Sequence, residues 1–179
     1  MVEVVTTIIM DLKTQHTEIK KSNGVTRSEL ENFGEFLKGI DNVFVGDTVN
    51  CPLKHSFSDN IYVREISIPK GTVLVGKIHK HEHPNFLMSG KVRVVTEDAS
   101  EVLEGPLSMI SSPGTKRALI ALTDLVWITI HHNPTNTRDL KEIEKIVIAD
   151  SYDDYNRFIE NKNKISFKLK NKLIKILSK

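Results

Sequence analysis

Between Val43 and Ile130 the apolar positions fall in short runs, each closed by turn-forming residues. Val43–Val49, Ile61–Ile68, Thr72–Ile78, Phe86–Met88 and Val92–Thr96 read as strands, followed by Val102–Leu103, Leu107–Ile110, Arg117–Leu122 and Leu125–Ile130. Asp47, Asn50-Cys51-Pro52, Ser58-Asp59-Asn60, Pro69-Lys70-Gly71 and Ser89-Gly90-Lys91 punctuate them. Many short strands at regular spacing predict an all-β core, either a sandwich or a barrel. Strand and helix do not alternate repeatedly, which excludes a doubly wound parallel sheet.

The flanks have a different texture. Residues 1–10 are rich in valine, threonine and isoleucine and predict one more strand. Thr26 precedes Glu29 by three residues, the spacing of a capping box. Leu30, Phe33 and Leu37 follow with helical periodicity and Gly39 is placed to end the helix, so the spacing predicts a helix over 27–38. Beyond His131-His132-Asn133-Pro134, residues Leu140, Ile143 and Val147 share one helical face. A further short helix is expected from Ser151, with Asp154 at its capping-box position. In the tail, Leu169, Leu173, Ile176 and Leu177 line one side of a lysine-rich segment that is expected to pack on its own domain. The organisation expected is an N-terminal extension over 1–42, a β domain over 43–132 and a helical, lysine-rich extension over 133–179.

Charge is uneven. The formal net charge is +2, yet residues 161–179 hold seven lysines and no acidic residue, leaving −5 on the rest. The β domain therefore lacks the broad positive face that grips nucleic acid. Contact with nucleic acid or a membrane is left only to the tail. Cys51 is the single cysteine, which excludes an intrachain disulfide and a cysteine-built zinc site. The beginning of the chain lacks the basic region of a secretory signal, and Thr123 and Asp124 interrupt the longest apolar region, Ala118–Ile130. A cytoplasmic protein is expected.

The candidate chemistry centres on His79, His81 and His83, set at every second residue. In a regular strand all three would project from one face. Neutral imidazoles suit iron, manganese, nickel or zinc, and three of them leave positions open for water or substrate. Pro84 follows at once and can turn His83 out of register, and Glu82 could replace it if the strand bulges. Asn85 either orients a ligand or serves as an ordinary turn residue. On the last strand Trp127, Thr129 and His131 alternate on one face, so Trp127 could cover a pocket or fill the core, and His131 could reach the site from the strand end. His16 and His55 are isolated and expected at the surface. Cys51 near His55 lacks the third member of a nucleophilic triad.

These stretches resemble the motifs of the cupin superfamily, the double-stranded β-helix or jelly-roll proteins. Gly71 and Gly90 bracket the first motif, with His79-Lys80-His81 as its paired histidines, although His83 stands where a glutamate is usual. The second motif corresponds to Gly105–Arg117, with a compressed Pro113-Gly114, and Arg117 stands where a histidine ligand is expected. The resemblance covers Val43 to His131 and implies a jelly roll. A guanidinium cannot ligate a metal, so Arg117 would bind an anionic ligand, pair with a buried acid or face solvent. Cupins include isomerases, epimerases, dioxygenases, sugar-binding and storage proteins, and regulators. The implied function is a metal-binding protein, as a small-molecule oxygenase or isomerase with an anionic ligand. Its metal ligands would be His79, His81 and His83, and its ligand-binding residues Arg117, His131 and Trp127. No catalytic residue is assigned. The Trp127-x-Thr129-x-His131 stretch before an acidic helix also resembles phage-encoded cupin-like proteins. That resemblance implies an infected bacterial cell or a virion, and a non-enzymatic partner of phage or host proteins as the alternative function. Cupin-like proteins commonly pair through strands or exchanged termini, and Val4-Val5 and Ile8-Ile9 could supply such a strand to a homodimer.

Overall fold

The Thr26–Glu29 pair caps the first helix as its spacing requires. Thr26 Oγ1 accepts from the Glu29 N–H at 3.2 Å, and the Glu29 carboxylate accepts from the Thr26 N–H at 2.7 Å. Helix α1 runs Arg27–Lys38, buries Leu30 and ends at Gly39. These features belong to a computed structural model that describes residues 24–40 and 49–177. The strand expected over 1–10, most of that expected over Val43–Val49, His16 and the Val4–Ile9 dimer strand lie outside the described residues.

Eleven strands follow among the described residues. One sheet has the order β1-β2-β10-β5-β8, built from β1 Leu53–Ser58, β2 Ile61–Ile68, β10 Leu125–His132, β5 His83–Ser89 and β8 Leu107–Ser111. The second has the order β3-β9-β6-β7, built from β3 Val73–Val75, β9 Ala118–Ala121, β6 Lys91–Val95 and β7 Ser100–Glu104. A small ribbon pairs β4 Ile78–His79 with β11 Ile148–Ala149. Every pairing is antiparallel. Ile66, Leu87 and Trp127 from the first sheet meet Val92, Val94, Leu119 and Ala121 from the second in one core. Leu87 and Val92 are fully buried, each contributing about 1.5–3 kcal/mol through the area removed from water. The tight turn between β5 and β6 depends on Gly90, whose φ is 89° and whose missing Cβ would lie 2.3 Å from the Asp124 carbonyl oxygen.

The result is an antiparallel jelly-roll core flanked by helices, as expected. The barrel alternative is corrected. Neither sheet closes on itself among the described residues: β1 and β8 end one sheet, β3 and β7 the other. Strand β1 was not anticipated, because Leu53 and Phe57 are its only strongly apolar residues, yet it pairs along its whole length with β2. The single strand expected over Thr72–Ile78 breaks at Gly76-Lys77. Its second half, β4, leaves the four-stranded sheet to join β11.

The C-terminal helices close over this end. Helix α2, Leu140–Val147, is capped by Asp139 and packs Ile143 and Val147 against Tyr62. The short helix from Ser151 and the tail form one helix, α3, Tyr152–Leu177. Tyr152 anchors it: its hydroxyl donates to Glu97 at 3.1 Å, and the Arg27 guanidinium lies 4.5 Å from its ring centre. Residues 160–177 are exposed, and Leu169 and Leu173 are more than half accessible. The tail therefore does not pack on the domain, because no helix breaker redirects the chain once α3 passes Ile159. No helix among the described residues is long and apolar enough to cross a membrane.

Candidate metal centre

The inner face of the five-stranded sheet becomes more polar towards one end. Its first row, Leu53, Ile66, Trp127, Leu87 and Leu107, is apolar. The next row is His55, Arg64, Thr129, Asn85 and Met109. The last holds Phe57, Tyr62 and His131 on β1, β2 and β10, and His83 and Ser111 on β5 and β8. His79 enters from β4. The His79 carbonyl accepts from the Gly114 N–H at 2.8 Å, and the neighbouring Lys80 N–H donates to the Val147 carbonyl at 2.8 Å, fixing that segment.

Three imidazoles meet there. Ring centres lie 4.2 Å apart for His79 and His83, 4.6 Å for His83 and His131, and 5.0 Å for His79 and His131. One ligating nitrogen from each lies within 4.8 Å of the other two. His83 and His131 are buried. His83 Nδ1 pairs with the His81 carbonyl at 3.0 Å, so Nδ1 carries the proton and Nε2 keeps its lone pair. That Nε2 is buried with no hydrogen-bond partner, and so is His79 Nδ1. Orphaned buried nitrogens are costly unless something binds them. A backbone carbonyl that orients a ligating imidazole is a common support of metal sites. The residues therefore fit a metal ion.

The electrostatics agree. Burial, followed by His83, His131, Arg117 and Arg64, pushes His79 down to about 2. Burial, followed by His83, Arg64 and His81, pushes His131 down to about 3. His83 is also lowered, mainly by burial and against the lift from its bond to the His81 carbonyl. All three are neutral near pH 7, the state in which imidazole donates to a metal. Among the described residues, no carboxylate or thiolate belongs to the group. An all-imidazole set favours zinc, iron or nickel over manganese, which prefers oxygen donors.

The expected trio of His79, His81 and His83 is thus replaced by His79, His83 and His131. The two-residue spacing holds only in an unbroken strand, and the chain bends between His79 and His83. His81 consequently turns towards the helices. Its ring meets Phe158 edge-on at 5.3 Å. Glu82 is exposed, which removes it as a substitute ligand. Arg117 is half-buried and donates through Nη2 to Ser111 Oγ. Ser111 Oγ also accepts from Asn85 Nδ2, and Asn85 Oδ1 accepts from the Trp127 indole N–H at 3.0 Å. Trp127 lies in the core and meets the site through Asn85. Asn85 is a fully buried node and not a turn residue. His55, expected at the surface, pairs through Nδ1 with the Tyr62 hydroxyl at 2.7 Å, and Tyr62 stacks on His131 with centres 6.1 Å apart. Sequence reasoning also passed over Arg64. It interrupts the otherwise apolar phase Tyr62, Ile66, Ile68 of β2, and a charged residue in an inward phase is the signal that marks it.

No family model matches the sequence, and no curated protein matches it. Among solved structures, the chain is similar to a cupin superfamily protein from Desulfitobacterium hafniense, at 10% identity over 50% of this chain and 83% of that one, with a TM-score of 0.41. It is similar to a double-stranded β-helix protein from Klebsiella pneumoniae, at 10% identity over 55% of this chain and 95% of that one, with a TM-score of 0.42. An RmlC-like cupin from Shewanella frigidimarina shows 17% identity over 56% of this chain and 95% of that one, with a TM-score of 0.39. Likenesses of this size add nothing to the site. The fold rests on its own strand order, and the metal centre on its own three imidazoles.

Proposed function

We propose that this chain is a metal-binding protein of cupin-like fold. His79, His83 and His131 hold one divalent ion, and a small anionic ligand completes the site. The observation that carries the reading is a buried cluster of three neutral imidazoles, two of them with orphaned nitrogens. Such an ion supplies Lewis acidity or, if it is iron, dioxygen chemistry. The chain's own residues do the rest. The His81 carbonyl sets the tautomer of His83, and Arg117 supplies a positive charge beside the triad with donors to spare after Ser111. An oxygenase or isomerase acting on a small acid is the enzymatic form of this reading. The exposed apolar residues of α3 favour a second one, a non-enzymatic interaction protein that docks through its tail. Phage association rests on the Trp127-x-Thr129-x-His131 stretch alone.

Metal analysis of untagged protein, before and after reconstitution with zinc, iron, nickel and manganese, tests the reading. Wild type and His81→Ala are expected to hold one ion per chain, while His83→Ala and His131→Ala lose it. Folded wild type without stoichiometric metal would sink the proposal. Loss in His81→Ala with retention in His131→Ala would restore the ligand trio expected from the sequence.

A further inference from the structure

Two guanidiniums flank the triad, and only one of them stands in a motif. Arg64 lies in the inward phase of β2, opposite Thr129 of β10, and Thr129 lies opposite Asn85 of β5. Arg117 reaches Ser111 on β8. The sheet order β2-β10-β5-β8 places His131 and His83, on the two middle strands, between the guanidiniums. Arg117 acts electrostatically on His79 and His83, and Arg64 on His79 and His131. The two cations therefore approach the cluster from its two sides.

Both arginines are half-buried, and neither takes part in an ion pair among the described residues. Withdrawing a guanidinium from water without a counter-charge is expensive. Placed twice around a cluster of neutral imidazoles, it leaves a site with positive charge at both sides and, among the described residues, no acid ion-paired to either guanidinium. A guanidinium presents a planar fork that matches a carboxylate or phosphate through two parallel hydrogen bonds. Three strand spacings separate β2 from β8 and Ser111 lies one row beyond Arg64, roughly 16 Å between their main chains, and the Arg64 side chain reaches back over part of this.

We infer that Arg64 and Arg117 form a two-point clamp for a small organic dianion, with one acidic group at each guanidinium and the triad between them. A short dicarboxylate carries two such groups on one small molecule. A monoacid would leave one guanidinium unmatched. The inference deepens the proposed anion-accepting metal site and rests on it, but charge recognition by two arginines can also be read without the ion.

Calorimetry tests it with glutarate and its one-acid counterpart, pentanoate. Both are titrated into zinc-treated and chelator-treated full-length protein, with bound zinc measured separately. Glutarate is expected to bind the zinc form more than ten-fold tighter than pentanoate. Arg64→Gln and Arg117→Gln should each weaken glutarate by roughly ten- to a hundred-fold, the loss of a charge-assisted contact, and keep their zinc. If Arg64→Gln does not fold, Arg64→Lys decides: it keeps the charge but not the fork, so weaker glutarate binding supports the clamp and equal binding overturns it. Equal binding of the two acids by zinc-loaded protein, or unchanged glutarate affinity in Arg64→Gln, overturns the clamp and leaves the metal site standing. If wild type binds no zinc, the metal reading fails. The chelator-treated titration then judges the clamp alone: a retained preference for glutarate supports it and no preference overturns it.

Discussion

Asn85→Ala should cost far more than the loss of a small polar side chain suggests. Asn85 is fully buried and makes three hydrogen bonds: it accepts from the Trp127 indole at 3.0 Å, and donates to Ser111 Oγ and to the His83 carbonyl at 3.2 Å. Ser111 keeps Arg117 as a partner, so that loss is an ordinary one of about 0.5–1.5 kcal/mol. The indole N–H is worse placed: it stays buried with no acceptor, at about 1–3 kcal/mol. The expected total is about 2–4 kcal/mol. For a chain of this size that lowers Tm by roughly 5–15 °C. Urea unfolding of chelator-treated protein measures it, and Trp127→Phe isolates the cause. In the Asn85→Ala background, Trp127→Phe removes the orphaned donor, so the double variant should be more stable than the sum of the single losses by about 1–2 kcal/mol. A loss below about 0.5 kcal/mol for Asn85→Ala, or strict additivity with Trp127→Phe, would refute the buried relay.

Two further outcomes follow from the same structure. The folded-state values of His79 and His131 lie below the ordinary 6.5, so the unfolded chain takes up protons that the folded chain refuses. Metal-free protein should therefore be most stable above about pH 6.5 and lose roughly 2 kcal/mol per pH unit between about 6 and 4, read from urea midpoints; a flat profile there would contradict the buried neutral triad. Gly90→Ala forces a Cβ against the Asp124 carbonyl at a φ of 89°, so a loss above about 1 kcal/mol is expected in the same assay, and a neutral result would contradict the turn geometry.

The turn residues and short apolar runs made the jelly roll legible, and Thr26 with Glu29 made α1 legible to the residue. The site was only partly so. His79 and His83 were visible as a spacing, but the exclusion of His81 depends on the bend between His79 and His83 and on the pairing of β4 with a strand about 70 residues later. Such long-range pairing leaves no local mark. His131 was visible as an inward residue of the last strand, while its meeting with His79 depends on how β4 crosses the sheet end. Arg64 was legible in principle, as a charged residue in an apolar phase, whereas Asn85 shares its phase with His83 and Ser89 while Pro84, Phe86 and Met88 make the other phase of β5 the apolar one. The closed barrel was not separable from a sandwich, because strand alternation is the same in both.

The central claim is that His79, His83 and His131 share one ion. Anomalous diffraction from crystals soaked in zinc, recorded on both sides of the zinc absorption edge, tests it most directly. The account predicts one strong peak about 2.0–2.1 Å from a nitrogen of each of the three rings, with His81 still against Phe158. An ordered triad with no peak, or a peak ligated by His81 in place of His131, would contradict it.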